Sequence, residues 1–280
     1  MAALSRTQRM RWIPRARVMI ALLLLLASGS AYPNVYYYFD ESPDGASAFD
    51  SGGEGVDLPY LGKSTQTTEA AKFGSGSLAL GQDAAMGFGS GLAKGPFGAL
   101  GADISRMTIT LWMMVKADDN GGAGVFMAQR LNALGRGGFT FCYSGGRRFV
   151  FYTDGLEGSD GNAKVTSEPT AVWPAGEWVH VAMTFDKGTV AFYFNGELAG
   201  VPQSLPDGVT SISSTDLTAA IFYGIPSSPS IQYVDDFGFF GEEALSSEEI
   251  LNIYKNGLKA FAASRSLGEA PARNNSLSKK

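Results

Sequence analysis

The stretch from Trp178 to Phe194 limits what this chain can fold into more than any other segment. Val179, Val181, Met183 and Phe185 alternate with Trp178, His180, Ala182 and Thr184, and after Asp186-Lys187-Gly188 the return run carries Val190, Phe192 and Phe194. A period of two sends alternate side chains to opposite faces of a strand, so the apolar set marks a core face. Asn195-Gly196 closes the stretch, and that pair tolerates the positive φ that a type I′ turn needs at both central positions. The same period runs through 107–115, with Met107, Ile109, Leu111, Met113 and Val115 on one face and Thr108, Thr110, Trp112 and Met114 on the other.

Other strand signals lie at 35–39, 77–80, 125–129, 139–143, 149–153, 217–223 and 231–240. Roughly ten to twelve short strands without a βαβ rhythm indicate an all-β sandwich or barrel. Hydrophobic residues make up 45% of the chain and charged residues 18%, with 36 glycines; that balance suits strands joined by tight turns and is too apolar for a disordered chain. One helix is expected, at 246–257. Ser246 and Glu249 make a capping box, Leu245 and Ile250 sit at the staple positions, and Gly257 supplies the stop. Beyond about Ala263 the chain turns small, polar and basic and reads as a flexible tail, 263–280.

The net charge of −5 excludes a nucleic-acid role, because no basic stripe offsets phosphate charge. Arg6, Arg9, Arg11, Arg15 and Arg17 precede an apolar run, Val18 to Ala27, which ends in the small residues Ser28 to Ala31. This is the pattern of a signal peptide over 1–31. Its apolar run is shorter than the roughly 20 residues that span a bilayer, so no stable membrane span is expected after cleavage. The mature chain is expected to be secreted, periplasmic or at the cell surface. Cys142 is the only cysteine, so no intrachain disulfide can form and stability must come from packing.

The order of motifs resembles LamG-like jelly-roll domains. Tyr37-Tyr38-Phe39-Asp40-Glu41 is similar to their opening YxFDE, and 73–80 to their FGxxLxL segment. Met107 to Trp112 resembles FTxxxW, 177–186 resembles WxHVAxTxD, and 193–200 resembles xYxNGxxxG. Val234-Asp235-Asp236-Phe237, with Ala244-Leu245-Ser246 and Glu248-Glu249-Ile250, resembles IDEVxIYxxALSxEEI, although Gly238 replaces a larger polar residue. The resemblance covers about 36–257. It implies a concanavalin A-like jelly-roll β-sandwich of two antiparallel sheets with one short C-terminal helix, over 35–262. It does not imply an activity, because this sandwich hosts lectins, adhesins, glycanases and lyases.

Four acids are candidate ligands of a structural calcium ion, which takes six to eight oxygens from carboxylates and carbonyls. Asp40 ends the first strand, Asp50 lies in a glycine-rich loop, and Asp235 and Asp236 lie on the last long strand. First and last strands are often neighbours in a jelly roll, and the resemblance implies calcium near these positions. On a regular strand Asp235 and Asp236 point to opposite faces, so one of them, Asp235, is the expected direct ligand. The other reading makes Asp40 and Asp50 turn residues and the Asp pair a hydrogen-bonded strand end. His180, the only histidine, is read as structural, and Trp112 and Trp178 as framework. Trp173, Tyr143 and Tyr152 are candidate sugar-stacking or partner-binding residues. No Glu precedes an Asp by two positions, which removes the carboxylate pair of retaining glycanases, and no G-x-S-x-G elbow occurs. The expected function is a non-catalytic module that binds glycan or an extracellular protein; a hydrolase or lyase, and a structural or adhesive surface component, are the alternatives.

Overall fold

The computed structural model describes residues 34–41, 45–53, 57–60, 64–80, 104–115, 123–129, 138–144, 148–153, 163–170, 173–212, 218–221 and 231–268. The expected signal segment 1–31 and the chain beyond Gly268 lie outside the described residues. In chain order the strands begin with β1 (Val35–Tyr37), β2 (Ser47–Ala48), β3 (Leu58–Pro59), β4 (Thr65–Thr67), β5 (Ser77–Ala79) and β6 (Arg106–Val115). Then come β7 (Ala123–Gln129), β8 (Gly138–Ser144), β9 (Arg148–Thr153), β10 (Ala163–Thr166), β11 (Trp178–Asp186) and β12 (Thr189–Phe194). The last are β13 (Glu197–Leu198), β14 (Gln203–Ser204), β15 (Thr218–Ile221) and β16 (Ile231–Gly241), followed by helices α1 (Ser247–Asn256) and α2 (Leu258–Gly268).

Strands β2 and β3 form a two-stranded sheet; the other strands form a nine-stranded sheet ordered β13-β12-β11-β6-β16-β5-β4, with β1 on β16 and β14 on β12, and a five-stranded sheet ordered β10-β9-β8-β7-β15. Their inner faces pack together: Phe141 and Phe149 of the smaller sheet stack on Phe192 of the larger, and Phe151 meets Phe185. The apolar faces read from the sequence line this core, and Ile109, Leu111, Val181, Met183 and Phe185 are fully buried. The β11–β12 turn at Lys187-Gly188 and the β12–β13 turn at Asn195-Gly196 both take positive φ, as the type I′ geometry demands. This is the expected jelly-roll sandwich.

Two features depart from expectation. The first is the helical end. The capping box closes as read, with Glu249 N donating to Ser246 Oγ and Ser246 N donating to Glu249 Oε2. Gly257 ends α1, but a second helix, α2, starts directly after it and runs past residue 263 to Gly268. The sequence lacks a local N-terminal cap there. Its cap comes from far away in sequence, because the Leu258 N–H donates to Asp236 Oδ2 at 2.7 Å. The single expected helix is therefore corrected to two.

The second departure is a bulge in β16. Asp235 faces Trp112 and Gly238 faces Thr110, so Asp236 and Phe237 together oppose Leu111. Asp236 absorbs the extra residue at φ +49. Val234 and Phe237 thus both enter the core, and Asp235 and Asp236 both turn outward, against the expectation of opposite faces.

On that outward side the two helices lie across the nine-stranded sheet. Leu258, Ile250, Ile253 and Phe261 pack with Tyr36, Ala182, Tyr193 and Phe240 in a second apolar layer. Gly238 fits here, since a Cβ at that position would stand 3.0 Å from Leu258 Cδ2 and 3.1 Å from Thr110 Cγ2.

Candidate functional site

Three of the four acids named from the sequence lie around the bulge. Asp235 Oδ2 accepts from the backbone N–H groups of Lys72 at 2.7 Å and Phe73 at 3.1 Å, and its Oδ1 accepts from Asp236 N at 2.8 Å. Asp236 Oδ2 holds the first N–H of α2, where the positive end of the helix dipole favours a carboxylate. Asp40 Oδ1 accepts from Ser75 N at 2.6 Å and from Ser75 Oγ at 3.3 Å, while Oδ2 pairs with Lys259 Nζ at 3.4 Å. The turn at 72–75 is built for this contact: Gly74 sits at φ +67, and a Cβ there would collide with the Asp40 carboxylate. Burial pushes the Asp235 carboxyl up to about 7 against the opposing pull of the Phe73 and Lys72 N–H groups. Burial likewise pushes Asp236 up to about 6, opposed by the Leu258 N–H.

The fourth acid is engaged elsewhere. Asp50 Oδ1 accepts from Tyr36 N at 3.1 Å and Gly52 N at 2.8 Å, fastening the glycine-rich loop to β1. Among the described residues no three His, Cys, Asp or Glu side chains are grouped to hold a metal ion. An N–H hydrogen and a cation compete for the same lone pairs, and Asp235 has N–H donors on both of its oxygens. The contacts of Asp235 and Asp236 are those of the hydrogen-bonded reading of the same residues.

An aromatic cluster lies beside the acids, between the sheet and α1. Trp112 stacks on Tyr254 with ring centroids 5.4 Å apart, meets Phe73 edge-on at 5.8 Å and His180 at 5.3 Å, and has Lys72 Nζ 4.1 Å from its centroid. His180 is fully buried, its Nε2 lies 2.7 Å from Thr110 Oγ1, and burial lowers its pKa to about 3. It is a neutral framework residue, as read. Sequence patterns did not single out Lys72 or Lys259, and they marked Phe73 only as part of the FGxxLxL-like segment and Tyr254 only as part of the helical apolar stripe. Only the glycine-rich FGSG segment hinted that a close backbone approach occurs there.

The candidate binding aromatics separate. Trp173 is buried at 5% exposure, stacks on Phe194 and donates Nε1–H to Thr170 Oγ1; the expectation of a ligand platform there is corrected, because both ring faces lie within the core. Tyr143 holds a ladder position on β8 opposite Phe149, and its side chain lies outside the description. Tyr152 is half-buried on the outer row of β9, opposite Thr140 on one side and Lys164 on the other. In the same row Arg148 is half-buried and Val150 buried, while on β10 Lys164 is exposed.

Residues 89–251, more than half of the chain, match the family described as the concanavalin A-like lectin/glucanases superfamily. No curated protein matches the sequence. Among solved structures, the binding domain of botulinum neurotoxin serotype D matches at 13% identity and TM-score 0.56, over 81% of this chain and 51% of the other. The serotype G binding domain matches at 15% and 0.54, over 79% and 50%. The binding domain of Paraclostridial Mosquitocidal Protein 1 matches at 14% and 0.54, over 81% and 52%. The chain spans about half the length of these structures, and at such identities the likeness is one of fold. With the sandwich, the strand order and the matched residues in agreement, the chain belongs to the concanavalin A-like lectin/glucanases superfamily.

Proposed function

We propose that the chain is a secreted, non-catalytic recognition module that binds a carbohydrate or a protein partner through the outer face of its five-stranded sheet and the adjoining rim. One observation carries this reading. The outer face of the larger sheet is buried under α1 and α2, whereas the outer row of the smaller sheet presents half-buried Arg148, Tyr152 and Thr166 and an exposed Lys164. A half-exposed tyrosine beside hydroxyl and cationic side chains suits saccharide stacking and polar recognition.

The fate of the acids favours binding over hydrolysis or elimination. A glycosidase needs two carboxylates flanking a substrate, and Asp235 and Asp236 instead accept backbone N–H groups inside the fold. The solved neighbours are binding domains of toxins, which supports the same class. Export enters the proposal from the basic and apolar pattern of the N-terminal segment.

A glycan array probed with the purified mature chain, once with calcium and once with chelator, tests the reading. Retention of one saccharide class is the expected result. An array without signal removes carbohydrate from the reading, and turnover of a polysaccharide by the same preparation overturns its non-catalytic part.

A further inference from the structure

The turn at 72–75 and the start of α2 are far apart in sequence, yet both are hung on adjacent residues of one bulge. Asp235 takes two N–H groups of the turn, and Asp236 takes the first N–H of the helix. The turn in turn carries Phe73 and Lys72 onto Trp112, whose ring also stacks on Tyr254 of α1. Gly257 joins the two halves: a Cβ there would stand 3.1 Å from both Asp236 Oδ2 and Phe73 Cγ. Outside this core of the contact, Asp40 ties the turn to α2 through Ser75 and Lys259.

We infer that Asp235 and Asp236 form a metal-independent clamp that fastens the helical cover over the nine-stranded sheet and so closes that face to ligands. The backbone amides supply the positive ends that a cation supplies in a calcium site, and they occupy both oxygens of Asp235. The bulge is what makes the clamp: without the extra residue at Asp236, one of the two carboxylates would enter the core face. Opening the clamp exposes the apolar layer of Phe240, Tyr193, Leu258 and Phe261 while the sandwich core keeps its own contacts. This inference does not depend on the ligand-binding role proposed for the other sheet.

The test is limited trypsin digestion of the mature chain under native conditions, read at Arg265, for the wild type, Asp236→Asn and Lys259→Gln, each in EDTA and in calcium chloride. Loss of a charge-assisted anchor raises local opening, so cleavage of Asp236→Asn is expected to be about tenfold faster, with increased binding of an apolar dye. Lys259→Gln changes only an exposed side chain and is expected to show a smaller increase of the same kind, which keeps the proposal testable if Asp236→Asn folds poorly. The wild type is expected to cut at one rate in both solutions. Equal rates for the wild type and both variants would overturn the clamp. Faster cleavage of the wild type in EDTA would overturn its independence of metal.

Discussion

On the nine-stranded sheet, the outward rows of β6 and β11 carry Thr108, Thr110, Trp112, His180 and Thr184, and all five are buried. On the five-stranded sheet, the outward row of β9 holds Arg148 and Tyr152, both half-buried, around a buried Val150. In the sequence the two rows look alike, polar residues alternating with apolar ones. On the larger sheet the C-terminal helices lie over the row and bury it. A polar row is therefore not by itself a solvent-facing row, and the element that lies across it decides.

The largest effect that separates the two faces is expected at Phe240, which is fully buried between Tyr36 and Phe261. Phe240→Ala should cost about 3–5 kcal/mol in denaturant unfolding, the usual range for a buried aromatic. A cost below about 1 kcal/mol would mean that the helices cover the face only loosely.

Acid should act on the covered face next. His180 has a folded pKa of about 3 and an ordinary value of 6.5. Between these values the unfolded chain binds a proton that the folded chain refuses, so His180 contributes stability that is lost as pH falls from 6.5 toward 3. Asp235 acts in the opposite direction, since its folded value of about 7 lies above its ordinary 3.8; between those values stability rises as pH falls. The His180 contribution is isolated by His180→Gln. Below pH 6.5 the stability advantage of the wild type over this variant should shrink by about 1.4 kcal/mol per pH unit. A difference that does not change with pH would place a proton on His180 in the folded state.

A smaller effect is expected at the start of α1, where Ser246→Ala removes the Oγ that accepts from Glu249 N. The expected loss is about 1 kcal/mol in denaturant unfolding.

The sequence made some of these features plain and hid others for physical reasons. The central strands were legible because Val, Met, Phe and Ile recur there at period two over nine or ten residues. The first helix was legible because Ser246 and Glu249 cap it locally. The second helix was hidden because its cap, Asp236, lies 22 positions upstream and Gly257 reads as a terminator. The bulge was hidden because nothing nearby marks Asp236 for the left-handed region, and the facing of the two acids followed from it. Of the candidate site, the acids Asp40, Asp235 and Asp236 lie together, but the partners of Asp235 and Asp236 are backbone N–H groups, which carry no residue-type signal. Trp173 was misjudged because a lone tryptophan outside a strand gives no period from which to infer its burial.

The most direct test of the contrast between the faces is a titration of an array-selected saccharide against the wild type and Tyr152→Ala, with thermal unfolding of each. The five-stranded face as the binding surface predicts about tenfold weaker binding for Tyr152→Ala, roughly 1.4 kcal/mol, with the unfolding midpoint little changed. Unchanged affinity in Tyr152→Ala, together with loss of binding in the clamp variant Asp236→Asn, would contradict it and move the site to the helix-covered side.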